Sequence, residues 1–101
     1  MSVSLKRGTL YFFKQEGCPA CESGGKILDQ FRASTEKHRD KLMIIELDVS
    51  KNPRWSVHGW SPKATPSYLL AVNGRPTDEH EGAMTIKQLE KFTAALLAKG
   101  N

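Results

Sequence analysis

Cys18 and Cys21 are the chain's only cysteines, and just two residues stand between them. A bridge across so short a loop removes little freedom from the unfolded chain. Disulfide-stapled secreted domains spread their cysteines over large loops instead. The chain must therefore fold on an apolar core, and chemistry explains the pair better than stability does. Its 101 residues, 39% apolar and 26% charged, fit one soluble domain over 1–101. No apolar run reaches the roughly 18 residues that a membrane helix needs. Met1 to Leu10 lacks the apolar core of a secretory signal, which points to the cytosol or to a leader already removed. The net charge of +4 is mixed along the chain, so neither nucleic acid nor a membrane is expected as a partner.

The pattern along the chain alternates strand and helix. Thr9–Lys14 (Thr-Leu-Tyr-Phe-Phe-Lys) reads as a buried strand. Pro19, just after Cys18, suits the first position of a helix that runs to about His38. Ala20, Gly24, Ile27, Leu28 and Phe31 fall on one side of it, and Gly24-Gly25 weakens its start. Leu42–Val49 is a second buried strand, parallel to the first through the intervening helix. Residues 50–63 read as irregular with room for one helical turn. Tyr68–Val72 and Thr77–Glu81 flank Asn73-Gly74, a strong hairpin signal. A last helix is expected over Ile86–Lys99, with a Thr85/Gln88 capping box and Gly100 as its stop. The expected fold is α/β: a four-stranded mixed sheet with helices able to cover opposite faces.

Cys18 stands where the first strand feeds the first helix. A thiolate there meets unpaired backbone N–H groups and the positive end of the helix dipole, which favour ionisation. Cys21 lies one turn on, within reach of Cys18. The pair can therefore run a two-step exchange, in which Cys18 attacks a substrate disulfide and Cys21 resolves the mixed disulfide. Two other readings stay open. One is half of a zinc site, for which His38, His58 and His80 are available without paired ligand spacing. The other is a pair of inert structural thiols.

The chain at this point resembles the thioredoxin family over roughly Thr9 to Ala98. The likeness rests on Cys18-Pro19-Ala20-Cys21, on the Lys41–Pro53 stretch with its Asn-Pro ending, and on Thr65-Pro66 about 45 residues after the cysteines. Asn73-Gly74, Gly82-Ala83 and the Gln88–Phe92 helix follow in order. The resemblance implies a thioredoxin-like fold and thiol–disulfide oxidoreductase activity, foremost reduction of protein disulfides. It implies a cis peptide at Pro66. That proline would lie beside Cys18, and the Thr65 backbone would pair with an extended substrate. Pro19 and Ala20, between the cysteines, would also touch substrate. No metal or organic cofactor is required. The electron donor would be a reductase or a small thiol, and the protein is expected as a monomer.

Departures from the family pattern matter as much. Thioredoxins usually carry Trp-Cys-Gly-Pro-Cys, whereas Gly17-Cys18-Pro19-Ala20-Cys21 resembles glutaredoxins and oxidising members. Glutaredoxin-type, oxidase or isomerase activity, or a non-catalytic binding module, therefore stay as alternatives. The paired glycines and aspartate with which glutaredoxins bind glutathione are missing from Gly82-Ala83-Met84-Thr85, though Lys14 and Thr65 sit where contacts could form. Eight residues before Thr9 leave no room for the family's first strand and helix; Val3–Leu5 could add at most a short strand. The family's buried aspartate, six residues before the first cysteine, is Phe12 here, and its partner lysine position holds Glu46. One hypothesis is that the acid has moved strands and that Glu46 takes the proton from Cys21. The competing reading is a solvated or salt-bridged carboxylate. Trp60 could flank the thiol pocket, although core packing is the commoner duty of Trp60 and Trp55. His58 and His80 are given no role.

Overall fold

The computed structural model describes residues 7–38, 40–52 and 56–97. The expectations for Val3–Leu5, Trp55 and Gly100 lie outside these described residues. Four strands form one sheet: β1 (Gly8–Lys14), β2 (Leu42–Asp48), β3 (Ser67–Val72) and β4 (Arg75–Glu81). Their order is β2-β1-β3-β4. β1 pairs in parallel with β2 and antiparallel with β3, and β3 pairs antiparallel with β4. Helix α1 spans Pro19–Ser34, α2 Ile86–Phe92 and α3 Ala94–Leu97. The fold is that of a mixed sheet flanked by helices, as expected.

Strand alternation sorts β1 into two faces. Leu10 and Phe12 join Tyr68 and Leu70 of β3, Leu28 and Phe31 of α1, Leu89 of α2 and Leu96 of α3 in one core cluster. Both ends of the chain's helical structure thus cover the same face of the sheet, not opposite faces. Both faces of the central strands are apolar, so their sequences alone do not choose between them; the helices take the face of Leu10, Phe12, Tyr68 and Leu70, and the loop after β2 covers part of the other. Burying a side chain such as Phe12 contributes about 2 kcal/mol. The other face carries Tyr11, Phe13, Leu69 and Ala71. Part of it is covered by the loop after β2, where Trp60 packs on Phe13 at 5.3 Å between ring centroids and His58 meets Tyr11 at 5.9 Å.

Local chemistry moves several boundaries. α1 ends at Ser34: its cap residue Thr35 leaves helical backbone geometry at φ −104° and ψ 10°, and the Thr35 hydroxyl caps the Phe31 carbonyl at 3.0 Å. A single 3-10 turn, Glu36–His38, follows where the helix was expected to continue. The C-terminal helix is broken at Thr93, which is fully buried and donates its hydroxyl to the Leu89 carbonyl at 2.9 Å. β4 begins at Arg75, earlier than expected, and a register shift at Leu70/Ala71 accommodates Pro76, which has no N–H for the ladder. The loop after β2 holds no helical turn among its described residues. Instead Val57 and Trp60 exchange backbone hydrogen bonds at 2.8 Å each around His58 and Gly59, both at positive φ. The Asn73-Gly74 turn has the same pair of positive φ values, 52° and 83°, as a tight hairpin requires.

Candidate active site

Gly17 takes φ 71°, a left-handed conformation natural to glycine, and so turns the chain from β1 into α1. Cys18 then occupies the N-cap of α1 with extended backbone, φ −116° and ψ 97°. Its Sγ accepts a hydrogen bond from the Cys21 N–H at 3.1 Å. Pro19 opens the helix, where its missing N–H costs nothing. Cys18 and Cys21 are joined as a disulfide, with Cα atoms 5.1 Å apart. The two sulfurs differ in access. Cys18 is half-buried and Cys21 is 4% exposed, so only the first is open to a large partner. Pro19 and Ala20 are exposed beside them.

Thr65 and Pro66 come to this junction from the start of β3, and the bond between them is cis. The Cys18 Sγ lies 3.8 Å from the Thr65 carbonyl oxygen and 4.0 Å from its hydroxyl. Pro66 is buried and Thr65 half-buried. The Thr65 carbonyl therefore stands beside the Cys18 sulfur, 47 positions away in sequence. A cleft of about 280 Å³, lined by Gln15, Val49, Pro62, Lys63, Ala64 and Thr65, adjoins this point. Trp60 is placed against Phe13, on the sheet face away from α1, where it holds the loop leading to Thr65.

Glu46 lies opposite Phe12 in the β1–β2 register, so it faces the α1 side of the sheet. It and the buried Cys21 line one cleft of about 360 Å³, together with Lys14, Gln15, Glu22 and Lys26. The carboxylate is salt-bridged twice: Lys14 Nζ at 3.0 Å from Oε1 and Arg32 at 2.9 Å from Oε2. Arg32 also donates to the Ile44 carbonyl at 3.2 Å. The sequence reading weighed a salt-bridged Glu46 without naming its partners. Lys14 at the end of β1 and Arg32 late in α1 were the available signal, since both elements adjoin β2. Asp48, at the end of β2, has its pKa lowered, chiefly by the Ser50 N–H that it accepts at 2.8 Å. Burial raises the pKa of Tyr68, whose hydroxyl accepts the Met84 N–H at 3.1 Å behind α1. Among the described residues no group of three or more His, Cys, Asp or Glu gathers as a metal site.

This arrangement, with an asymmetric cysteine pair at a helix N-terminus facing a Thr–cis-Pro segment, can be set beside known proteins. No family model matches the chain. Thioredoxin Y1, chloroplastic, of Arabidopsis thaliana is 32% identical over 87 residues, which is 86% of this chain and 48% of that protein. Over most of its own length the chain is thus similar in sequence to a thioredoxin. It spans about half the length of that relative. The thioredoxin of Alicyclobacillus acidocaldarius is 29% identical over 80 residues, 79% of this chain and 72% of that one. A solved structure of thioredoxin-2, described as a component of malaria parasite protein secretion machinery, superposes with a TM-score of 0.77 at 17% identity. The match covers 93% of this chain and 88% of that one, so the thioredoxin fold extends over nearly all of both.

Proposed function

We propose that this chain belongs to the thioredoxin family, catalyses thiol–disulfide exchange and, in its main direction, reduces protein disulfides. The observation that carries the reading is the unequal burial of the two sulfurs at the N-terminus of α1, beside Thr65. In the reduced pair, the Cys18 thiolate is favoured by the backbone N–H groups of the first helical turn. It attacks a substrate sulfur and forms the Cys18–substrate disulfide, releasing the other substrate sulfur as a thiolate. Cys21 then loses its proton and attacks the Cys18 sulfur. The Cys18–Cys21 disulfide forms, and the second substrate thiolate leaves.

Glu46 is the proton acceptor for Cys21 in this reading, through the cleft that both residues line. Thr65 presents backbone to an extended substrate segment, with Pro66, Pro19 and Ala20 shaping the surface around the exposed sulfur. Trp60 contributes through the loop it anchors on Phe13. A reductase or a small thiol returns electrons to the pair. Catalysis needs one copy of the chain, no metal and no organic cofactor. The reading assigns the protein to the cytosol, and cell fractionation tests that assignment.

The deciding experiment is a redox titration of the pair in glutathione buffers, followed by thiol alkylation and mass measurement. A midpoint near the roughly −270 mV of thioredoxin supports a reductase. A midpoint toward about −120 to −180 mV transfers the reading to an oxidase or isomerase. Absence of any intramolecular disulfide across the series overturns exchange altogether. Glu46→Gln is expected to slow the resolving step with normal stability, and an unchanged resolving rate removes Glu46 from the mechanism.

A further inference from the structure

The outward backbone of β2 takes no part in the proposed exchange chemistry, although the Glu46 side chain on this strand does, and its geometry is specific. β2 ends the sheet, with no described strand beyond it. The Gly8 N–H donates to the Lys41 carbonyl, and the Val49 N–H donates to the Lys14 carbonyl. The odd-numbered residues of this stretch therefore direct their backbone groups at β1. Alternation turns those of Leu42, Ile44 and Glu46 outward. The strand is seven residues long, contains no proline, glycine or lysine, and has no bulge against β1. Proline, lysine and bulges are among the devices that usually blunt a sheet edge, and here only the charges of Glu46 and Asp48 serve that end. Met43, 60% exposed, is the one exposed large hydrophobic side chain among the described residues. A cleft of about 330 Å³ lined by Arg32, Thr35, Glu36, Leu42, Met43 and Ile44 runs along the same edge.

We propose that this edge is a self-association surface on which a second copy of the chain adds its own β2, antiparallel, about a two-fold axis at Ile45. The occupant follows from the strand's self-complementarity. Centring on Ile45 pairs all seven residues: Leu42 with Asp48, Met43 with Leu47 and Ile44 with Glu46 of the other copy. The outward backbones of Ile44 and Glu46 then face each other and exchange hydrogen bonds, as antiparallel pairing requires. The exposed Met43 is covered by a leucine. On the helix face each Glu46 comes opposite Ile44, whose carbonyl already holds Arg32 at 3.2 Å. The carboxylate of one copy therefore arrives at the guanidinium of the other, so that each Arg32, already paired with its own Glu46 at 2.9 Å, is shared with the Glu46 of the second copy. Centring the axis on Glu46 would set two like charges opposite each other, which disfavours that register.

Arg32 also defines the cost. Its bond to the Ile44 carbonyl must open before the Glu46 N–H of the second copy can take its place. Association is accordingly weak, and it is expected between about 10 μM and 1 mM. Sedimentation equilibrium over that range, with reductant present to exclude intermolecular disulfides, should show a monomer–dimer equilibrium. Amide exchange read by NMR should slow at Ile44 and Glu46 as concentration rises. Met43→Lys, at an exposed position that leaves the fold intact by circular dichroism, should hold the protein monomeric and restore fast exchange at both amides. A monomer at every concentration overturns the proposal. So does a dimer that survives Met43→Lys, or one whose protected amides lie elsewhere. None of these outcomes depends on the redox reading, which disulfide reduction by the monomer tests separately.

Discussion

Helices α1 and α2 both begin at a capped N-terminus, but the two caps are built for different ends. At α2, Thr85 accepts the Gln88 N–H at 3.2 Å and Gln88 returns its side-chain oxygen to the Thr85 N–H at 2.8 Å. Two orphan donors are satisfied reciprocally, and the helix holds with only seven residues. At α1 the cap is Cys18, whose sulfur accepts from the Cys21 N–H at 3.1 Å. Sulfur is a weak acceptor, and cysteine is not among the residues preferred at this position. Gly24 and Gly25 weaken the same first turns further. α1 makes up the loss by length, with sixteen residues and the buried Leu28 and Phe31 far from the cap. The weaker cap is the one to which the proposed chemistry falls: the N–H groups left under-satisfied are those available to a thiolate.

Removing the sulfur from the first cap is the most severe way to break that comparison. Cys18→Ser is expected to lower disulfide reduction by at least about a thousandfold, because a serine hydroxyl does not ionise near neutral pH and gives no exchangeable bond to sulfur. The same change improves the cap. Under reducing conditions, at a pH low enough to keep the parent's Cys18 a neutral thiol, the variant should be more stable than the parent by about 0.5–1 kcal/mol. Activity assays and denaturant melts of the reduced proteins check the two halves together. Loss of both activity and stability would show that the cap's weakness is not the cost of its chemistry.

The second cap should respond in the opposite sense. Thr85→Ala is expected to cost about 1 kcal/mol and to lower the melting temperature by roughly 5 °C, while the exchange rate stays unchanged. A fall in exchange rate beyond the fraction unfolded would mean that α2 supports the cysteine site as well as the core.

These caps were also the best-marked features of the sequence. Cys18-Pro19 before a helical spacing and Thr85 with Gln88 are local signals, and both elements begin where those residues say. β1, β2 and the Asn73-Gly74 hairpin were legible for the same reason: strand runs and turn residues declare themselves within a few positions. Helix ends were less so. Thr35 and Thr93 are β-branched residues of ordinary helical acceptability; α1 and α2 end where their backbones leave helical geometry, with their hydroxyls turned back to the Phe31 and Leu89 carbonyls. The shared face of the helices was not legible, since it depends on which side of the sheet the loop after β2 folds over. At the site, Cys18, Cys21, Thr65 and Pro66 come together as the family resemblance implied. The direction of Glu46 hung on register, and its pairing with Arg32 on a helix whose rotation one sequence does not specify.

The glycine pair sharpens the account of why α1 starts weakly. A Cβ at Gly25 meets nothing within 4 Å, whereas one at Gly24 lies 3.1 Å from the Tyr68 hydroxyl and 3.4 Å from Ala83. Gly25→Ala should therefore gain up to about 1 kcal/mol from helix propensity alone. Gly24→Ala should gain less or lose, because the Tyr68 hydroxyl is fixed by the Met84 N–H it accepts. Chemical denaturation of the two variants gives the difference directly. Equal gains would mean that Tyr68 gives way and that Gly24 is not needed for close packing.

The smallest effect expected concerns pH, where the core behind α1 and the rim beyond β2 should part company. Tyr68 sits in the shared core with its pKa raised above the ordinary 10.0 by burial. The unfolded chain loses that proton first, so the folded state holds more protons above about pH 10, and stability falls as pH rises there. Asp48 stands at the exposed rim with its pKa lowered from 3.8, mainly by the Ser50 N–H. The unfolded chain takes up that proton first, so its contribution is present above about pH 4 and is lost as pH falls through the folded pKa. Asp48→Asn should flatten the acid limb of the stability curve slightly and leave the alkaline limb alone, while Tyr68→Phe should do the reverse. Because solvent screens the rim, the alkaline change is expected to be the larger of the two. Denaturant melts across pH for both variants measure it. A larger acid effect would mean that the Asp48–Ser50 turn holds the end of β2, and with it the strand carrying Glu46, more firmly than an exposed turn should.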